Sequence, residues 1–277
     1  MNDGNKIPAL GFGTFQMTSA EVFDVLPVVI GLGCTHIDTA NRYFNEVAVG
    51  EAIKRSGVPR ENLFVTSKLF PPDYPHGRCL IAIDETLRRL GLDYLDLMLF
   101  HQPYGDYVDG WQDMEEAVRQ GKVRSIGVDN FSAAKVREVM AVANIAPAAI
   151  QVEMNPHNNR HTLKRELADL DLTYEGWYPL GHGDPALLAE PAIAAPAERH
   201  GKTPAQVVIR WHIQEGNVVF PKSLNLEHVR QNFDVFGFEL DADEMAAINA
   251  LEQRPYHKVL DECPAWMAEP QDYSKQA

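Results

Sequence analysis

Three ionisable residues stand at the downstream ends of apolar runs that have the character of β-strands. Asp38 ends His-Ile-Asp, Lys68 ends Leu-Phe-Val-Thr-Ser-Lys, and His101 ends Leu-Met-Leu-Phe-His. They are separated by 30 and 33 residues, close to the length of one strand-helix-strand step. Consecutive parallel strands would bring these side chains to one edge of a sheet, where parallel-barrel enzymes place their chemistry. Tyr43 lies on the loop after the first of these strands and can reach the same point.

These four side chains together could transfer a proton. Tyr43 is the candidate donor, because the ammonium group of Lys68 beside the phenol would favour the phenolate and lower the tyrosine pKa from its ordinary value of about 10. Asp38 would hold Lys68 in position and keep it charged. His101 would supply a second hydrogen bond to the substrate oxygen. We therefore predict that Asp38, Tyr43, Lys68 and His101 are the catalytic residues.

Two other interpretations use the same residues. Asp38 and Lys68 could form a buried structural ion pair, with Tyr43 a surface aromatic and His101 a strand-end histidine, since ion-pair networks also perturb pKa values. Lys68 could instead form a Schiff base, but such a lysine must be neutral to attack and a neighbouring Asp38 opposes that. The convergence of all four residues at one rim favours proton transfer.

Short apolar segments alternate with helix-like segments throughout the chain. This alternation indicates a parallel sheet, and eight strands would fit a closed α/β barrel of the (β/α)8 TIM type. Residues Gly11 to Gly13 have the character of a short N-terminal hairpin or loop. The strands are predicted at 36–38, 63–68, 94–101, 124–128, 148–153, 172–177, 217–221 and 233–235.

Two of the intervening segments show helix start and stop signals. Leu87 and Leu90 fall on one face of a predicted helix that Gly91 would end. Thr203 is a predicted N-cap, with Pro204 in the first turn of its helix.

Length and composition agree with one barrel domain spanning residues 1–277. A chain of 277 residues is slightly longer than the roughly 250 typical of this barrel. The last segment, 254–277, contains three prolines and is predicted to be an irregular tail over the barrel mouth. Hydrophobic residues make up 45% and charged residues 23%, which are ordinary values for a globular protein.

The net charge and the first residues of the sequence restrict the binding partners and the cellular location that we expect. A formal net charge of −14 makes nonspecific binding to nucleic acid or to an anionic membrane an unfavourable interpretation. The start lacks a signal-peptide pattern and no run has the length of a membrane span, so we expect a cytoplasmic monomer. The three cysteines are widely spaced and are predicted to be free thiols, and no metal site is predicted.

A phosphate site is predicted near the end of the seventh of these strands. Gly31-Leu32-Gly33 precedes a strand and lacks the third glycine of a dinucleotide fingerprint, so a Rossmann fold is excluded. Lys222 and Ser223 instead follow a strand and precede a short helix. Barrels often bind phosphate there, where helix N–H groups and a lysine meet the anion.

A series of motifs follows in order at barrel spacing: Asp38-Thr39-Ala40 with Tyr43, Asn45-Glu46, Thr66-Ser67-Lys68-Leu69, the segment from Asp93 to His101, the segment from Gly121 to Val128, and Pro221-Lys222-Ser223. From about Gly4 to Glu252, this series resembles the aldo-keto reductase family. Glu175-Gly176-Trp177 looks like the prokaryotic branch, which includes 2,5-diketo-D-gluconate reductases and broad aldehyde reductases.

The resemblance implies a cofactor, NADP(H), and a small-molecule carbonyl substrate. It assigns the same four catalytic roles and implies that Lys222 and Ser223 hold the 2′-phosphate. The family usually has a serine at position 129, a small residue at 178, and an arginine and a glutamate at 228 and 231. The residues implied in cofactor binding are Asp129, Asn130, Gln151, Trp177, Lys222, Ser223, His228, Gln231 and Asn232.

Two functions remain open from the sequence. The first is NADPH-dependent reduction of aldehydes or ketones, such as keto sugars, dicarbonyls and small aldehydes, with Tyr43 as proton donor. The second is a regulatory or redox-sensing barrel that binds the cofactor while catalysis is incidental. Apolar wall residues are predicted around the carbonyl, namely Phe12, Phe44, Phe70, Tyr104 and Trp111.

Overall fold

The structure is an eight-stranded parallel barrel, seen in a computed structural model that describes residues 1–252 and 263–273. Each strand pairs with the next along the chain, and every pairing is parallel. The strands are β1 (Phe12–Gly13), β2 (His36–Asp38), β3 (Phe64–Leu69), β4 (Leu95–Phe100), β5 (Val123–Asp129), β6 (Ala149–Glu153), β7 (Thr173–Trp177) and β8 (Val218–Val219).

The barrel closes between its last strand and the segment before its first. Leu10 forms a parallel bridge with Val219, and the N–H of Gly11 donates to the Val219 carbonyl at 2.9 Å. The predicted (β/α)8 class is therefore confirmed. The helices are α1 (Ser19–Gly31), α2 (Glu46–Ser56), α3 (Arg78–Leu90), α4 (Tyr107–Arg119), α5 (Ala133–Met140), α6 (His161–Glu166), α7 (Pro185–Leu188), α8 (Pro191–His200), α9 (Pro204–Gln214), α10 (Leu226–Phe233), α11 (Ala242–Asn249) and α12 (Ala265–Ala268).

Two of the predicted elements are wrong. The stretch from Gly11 to Gly13 is not a hairpin, because Phe12 and Gly13 form β1 and pair in parallel with Ile37 and Asp38 of β2. A strand of only Phe12 and Gly13, preceded by Gly11, carries too little β-propensity to be recognised from the sequence. The segment 233–235 is not a strand, because Phe233 ends α10. Val235 is buried against Ile209 and Val219 without pairing, so an apolar pattern there reflects packing alone.

The helix signals in the sequence are confirmed where the structure can test them. Leu87 and Leu90 of α3 are buried, and Gly91 ends that helix in the left-handed conformation with φ 62°. Thr203 caps α9, and its side chain accepts from the N–H of Gln206 in a capping box. Helix α3 therefore ends at a glycine that adopts the left-handed conformation, and α9 begins at a threonine whose side chain accepts from a helix N–H.

The described part of the predicted tail, residues 263–273, lies against the barrel mouth. Trp266 in α12 stacks on Phe70 with a ring separation of 6.0 Å, and the Tyr273 hydroxyl donates to Asp73 at 2.7 Å. The tail is thus partly helical rather than irregular throughout. Residues 254–262 and 274–277 of the predicted tail lie outside the described residues. Within the described ranges, no helix combines the length and apolar character needed to span a membrane.

Candidate active site

The carboxyl ends of β2, β3 and β4 bring the predicted catalytic residues to one rim. Asp38 ends β2, and Lys68 lies near the end of β3. His101 follows β4 directly, and its backbone N–H donates to the Leu69 carbonyl at 2.9 Å. These three side chains therefore lie at one rim, as their spacing in the sequence predicts.

A buried Lys68 ammonium is the centre of the site. Its Nζ donates to Asp38 Oδ1 at 2.6 Å, to the Tyr43 hydroxyl at 3.1 Å and to the Thr39 carbonyl at 3.2 Å. The side chain has no solvent exposure. Three acceptors match the three protons of an ammonium group, so this buried cation is satisfied despite its removal from water.

Tyr43 is held by a short loop that is anchored beside it. A 3-10 helix spans Asn41–Tyr43, and Phe44 then takes the left-handed conformation with φ 56°. The Asn45 amide donates to the carbonyls of Thr14 and Met17 at 2.9 and 3.0 Å. These buried hydrogen bonds fix where the loop leaves the barrel and therefore where the phenol points.

Helix α2 begins immediately after this loop and is fixed by a buried ion pair. Glu46 accepts from the Ser67 hydroxyl on β3 and from Arg89 on α3, both at 2.7 Å. A Cβ at Gly50 would lie 2.1 Å from the Leu90 carbonyl oxygen, so only glycine allows α2 to approach α3 this closely. The support of Tyr43 therefore extends through two neighbouring helices.

The pKa of Tyr43 differs from the sequence-based expectation. Burial raises the pKa of Tyr43 above its ordinary value, while Lys68 lowers it and Asp38 and Asp129 raise it further. Lys68 acts in the predicted direction, but the predicted net lowering is wrong because burial outweighs it. The phenol consequently keeps its proton at neutral pH.

Lys68 itself stays charged. Burial lowers its pKa, but the carboxylate of Asp38 and the neighbouring Tyr43 and Asp129 raise the pKa of Lys68 above its ordinary value overall. A Schiff-base lysine must be neutral to attack a carbonyl. This environment therefore opposes the aldolase-type interpretation of Lys68.

His101 is a neutral imidazole beside the phenol. Its ring lies 5.6 Å from the Tyr43 ring, edge to face. Burial, and then the positive charges of Lys68 and Arg42, hold the pKa of His101 well below its ordinary value. Its Nδ1 is buried and has no hydrogen-bond partner among the described residues. Such a ring carries one N–H donor and one acceptor, which suits it to bind a polar oxygen.

A cluster of carboxyl groups lies next to the lysine. The Gln151 amide donates to Asp38 Oδ2 at 3.0 Å and to Glu175 Oε2 at 3.1 Å. Burial, and then the charge of Asp38, raise the pKa of Glu175 to about 8. Burial also raises the pKa of Asp129 well above its ordinary value; Lys68 opposes this, while Asp38 and Glu175 add to it. A protonated Asp129 would offer a hydrogen-bond donor, as a serine hydroxyl does.

Asn130 and Trp177 connect three strand ends. The Trp177 indole donates to Asn130 Oδ1 at 3.0 Å, and Asn130 Nδ2 donates to the His101 carbonyl at 3.0 Å. Asn130 directly follows the end of β5 and has a left-handed backbone conformation with φ 67°. These bonds hold the indole of Trp177 and the backbone of His101 in a fixed relation.

Most of the predicted site residues line one cavity of about 630 Å³ at the barrel mouth. Lys68 lies beneath it and reaches it through Tyr43 and Asp38. A buried Asp129 oxygen, Oδ1, has no partner within the described residues, so the cavity wall holds a polar atom able to meet a ligand. The predicted residues that line the cavity are Asp38, Tyr43, His101, Asp129, Asn130, Gln151, Trp177 and Lys222.

The remaining predicted cofactor residues lie beside the cavity, on α10 and the loop before it. The Ser223 hydroxyl accepts from the N–H of Asn225, which caps α10. His228 is exposed, Gln231 is half-buried and Asn232 is buried. The structure does not bring these four residues into the cavity wall, and their contact with a cofactor stays a prediction.

Sequence reasoning missed several cavity residues. Of the predicted wall residues, Phe70 does line the cavity and Phe44 does not. Phe12 and Trp111 are fully buried in the core, and Tyr104 lines a different cavity. The loop after β1 was missed because β1 itself was missed. The additional lining residues include Phe15, Gln16, Arg42, Tyr178, His182, Phe220 and Trp266.

Glu175→Gln should change how stability depends on pH. The native pKa of about 8 exceeds the ordinary 4.5, so the stability due to the protonated Glu175 is complete below pH 4.5 and is lost as pH rises through about 8. Glutamine cannot ionise and escapes this loss, which could reach a few kcal/mol. Thermal unfolding without cofactor should show that the stability of Glu175→Gln relative to wild type increases from pH 5 to 9.

The exposed Glu198→Gln is the control for that experiment, since its carboxyl lies on the surface. Parallel stability curves for wild type and Glu175→Gln would show that Glu175 is ionised in the folded protein throughout this range.

Comparison with known proteins agrees with this geometry. An aldo-keto reductase of Mycolicibacterium smegmatis is 44% identical over 255 residues, which cover 91% of this chain and 92% of that protein. Morphine 6-dehydrogenase of Pseudomonas putida is 40% identical over 266 residues, covering 91% of this chain and 90% of its own. A crystal structure of an aldo-keto reductase from a Medee basin deep-sea metagenome library superposes with a TM-score of 0.90 at 35% identity, covering 95% of this chain and 98% of that one.

The family model for the aldo/keto reductase family matches residues 9–253. That range contains all eight strands and the four residues Asp38, Tyr43, Lys68 and His101 at their carboxyl ends. The chain is therefore a member of the aldo/keto reductase family, whose members generally reduce carbonyl groups with a nicotinamide cofactor.

Proposed function

We propose that this protein uses NADPH to reduce aldehydes or ketones to alcohols, with Tyr43 as the proton donor. The observation that carries the proposal is the buried Lys68 ammonium bonded to both Asp38 and the Tyr43 hydroxyl at the floor of the cavity. Family membership supports the reaction type. The role of Tyr43 and the choice of NADPH are the parts that experiment must test.

The phenol supplies the proton that carbonyl reduction needs. The nicotinamide, when bound, supplies the hydride to the carbonyl carbon, and negative charge then develops on the carbonyl oxygen. Tyr43 holds its proton in the free protein, and an alkoxide is a stronger base than a phenolate, so transfer from the Tyr43 hydroxyl is favourable at that moment. The Lys68 ammonium, 3.1 Å from the phenol oxygen, stabilises the phenolate that forms.

His101 orients the carbonyl. A neutral imidazole can donate one hydrogen bond to the carbonyl oxygen without competing for the proton that Tyr43 delivers. Asp129 Oδ2 lies 3.8 Å from His101 Nε2, which is too long for a hydrogen bond and leaves that nitrogen able to meet a substrate.

The proposed cofactor contacts divide into two groups. Trp177 would stack on the nicotinamide, while Asp129, Asn130 and Gln151 would meet its carboxamide. The unpartnered Asp129 oxygen supports this, because it lies in the wall of the same cavity. At the other end, the exposed ammonium of Lys222 and the hydroxyl of Ser223 would hold the 2′-phosphate, and His228, Gln231 and Asn232 would flank the adenosine.

The proposed substrates are small aldehydes, dicarbonyls and keto sugars of the kind that 2,5-diketo-D-gluconate reductases take. The name of one relative, morphine 6-dehydrogenase, fits the same chemistry in the direction of alcohol oxidation. We further propose a cytoplasmic monomer. We also propose that it has no nucleic-acid or membrane partner, which the net charge of −14 supports.

Replacing Tyr43 by phenylalanine should abolish turnover while NADPH binding stays nearly unchanged. Loss of a general acid typically slows a reaction by about 10² to 10⁴-fold. Steady-state oxidation of NADPH with an aldehyde panel, and fluorescence titration of NADPH, measure the two effects. The matched control is Tyr174→Phe, which removes a phenol on β7 that has no hydrogen-bond partner among the described residues.

If Tyr43→Phe keeps more than half of the wild-type kcat, Tyr43 is not the donor. If wild type itself turns over no member of a panel of aldehydes, keto sugars and dicarbonyls, the regulatory alternative becomes the better interpretation.

Replacing Lys222 by alanine should weaken NADPH binding more than NADH binding. The ammonium would face the 2′-phosphate that only NADPH carries, and a partly exposed charge pair contributes on the order of 1 kcal/mol. In the reverse test, His228→Arg should tighten NADPH more than NADH, because arginine places a permanent, bidentate cation at that position. Equal changes in the dissociation constants of both cofactors would show that neither side chain faces the phosphate.

A further inference from the structure

The cavity mouth contains a cation that the proposed mechanism does not use. Arg42 precedes the proposed proton donor and lines the same cavity. Its guanidinium carbon lies 4.8 Å from the ring centroid of Phe44, 5.5 Å from that of Phe70 and 6.0 Å from that of Trp266. Three aromatic rings, one of them from the tail helix α12, therefore surround this side chain.

Arg42 has no anionic partner within residues 1–252 and 263–273. Its guanidinium forms no ion pair with a carboxylate of this part of the chain, and its Nε is buried without a hydrogen-bond partner there. Other half-buried or buried arginines are paired: Arg60 with Asp96 at 2.6 Å and Arg89 with Glu46 at 2.7 Å. Arg42 is thus held in place with a buried Nε that no described residue accepts from.

The aromatic rings explain how such a group can be retained. Cation–π contacts stabilise the guanidinium and restrict its orientation. The aromatic rings do not accept the N–H protons in the plane of the guanidinium. A carboxylate can bind in that plane with two parallel hydrogen bonds. A carboxylate entering the cavity would meet a pre-oriented partner that has already lost part of its hydration.

The position of Arg42 relative to the reacting centre limits what that carboxylate can belong to. Phe70 neighbours both sites, because its ring centroid lies 5.5 Å from the guanidinium carbon and 5.7 Å from the His101 ring. A ligand packed along Phe70 could thus place an oxygen at Tyr43 and His101 and a second polar group at Arg42. Such a ligand needs a short carbon chain or one aromatic ring between its two ends.

We propose that Arg42 binds the carboxylate of the substrate, so that the preferred substrates are oxo acids whose aldehyde or ketone is separated from the carboxylate by a few carbons. This inference rests on the proposed carbonyl reduction and names its substrate class. The net charge of −14 opposes the approach of an anion only weakly, because salt screens distant charges beyond about 8 Å. The local charge at the cavity mouth decides the preference.

The alternative role for Arg42 is purely structural. By contacting Trp266, it could serve only to hold α12 against the barrel. A structural role would affect all substrates alike, whereas a carboxylate-binding role affects only those that carry the charge.

The experiment compares two aldehydes of nearly the same shape, 4-formylbenzoate and its neutral amide, 4-formylbenzamide, at saturating NADPH. Wild type should have the higher kcat/KM for the acid. Arg42→Met should lose on the order of ten- to hundredfold of kcat/KM for the acid, mainly through KM, as expected for lost hydrogen bonds to a charged group. The amide should change by less than about threefold, and Arg42→Lys should fall between wild type and Arg42→Met for the acid.

The matched control is Arg55→Met. Arg55 also packs on an aromatic ring, that of Phe23 at 4.5 Å, but it is exposed on α2 and does not line the cavity. It should leave the ratio of the two kcat/KM values unchanged. Equal losses for acid and amide in Arg42→Met, or no preference for the acid in wild type, would overturn the inference.

A binding measurement separates this inference from the proposed reaction. If wild type reduces neither aldehyde, the proposed reaction fails, but calorimetry can still compare the corresponding alcohols, 4-(hydroxymethyl)benzoate and its amide, with NADP⁺ present. Tighter binding of the acid that is lost in Arg42→Met supports the carboxylate site. Equal binding of acid and amide overturns it.

Discussion

The burial of one ammonium group, that of Lys68, determines the design of this site. A lysine removed completely from water is unfavourable unless each of its protons has an acceptor and its charge has a counter-charge. Asp38 supplies the charge, and Thr39 and Tyr43 supply the remaining acceptors. These partners come from the strand before Lys68 and the loop that follows that strand. The buried charge of Lys68 therefore depends on β2, β3 and the loop between them being in place together.

The polar groups around the Asp38–Lys68 ion pair hold it in place, but they make the folded protein less stable. Gln151 bridges Asp38 and Glu175, so three strand ends share one hydrogen-bond network. Glu175 has an oxygen without a partner among the described residues and a pKa raised to about 8. Buried carboxyl groups of this kind destabilise a folded protein when they ionise. Two such groups, Glu175 and Asp129, lie beside Lys68, and groups with perturbed pKa values often cluster at functional sites.

Much of this arrangement follows from spacing in the sequence. The apolar runs that end in Asp38, Lys68 and His101 identify one rim of the barrel. This follows because parallel strands all point the same way, whatever the details of packing. The first strand could not be recognised, since Phe12 and Gly13 alone have no periodicity. The role of Arg42 could not be recognised either, because an arginine beside an aromatic residue has the same pattern on a surface as in a cavity. Its contact with Trp266 joins residues more than 200 positions apart in the chain.

The pKa of Tyr43 shows a different limit. Sequence reasoning identifies the neighbouring charge, Lys68, and the sign of its effect, but the burial of the phenol is a property of the whole cavity and outweighs that charge. The correction changes the interpretation of the site. In the proposed reaction, Lys68 would matter less for deprotonating the free tyrosine than for stabilising the phenolate when the proton leaves.

The rate of hydride transfer in Lys68→Met tests this central claim most directly. Enzyme preloaded with NADPH is mixed with an aldehyde, and the loss of reduced nicotinamide is followed in a single turnover, with NADPH affinity and thermal unfolding measured as controls for binding and folding. The account predicts a rate at least about 10²-fold below wild type in a folded variant that still binds NADPH. A folded Lys68→Met that transfers hydride within about tenfold of the wild-type rate would contradict it.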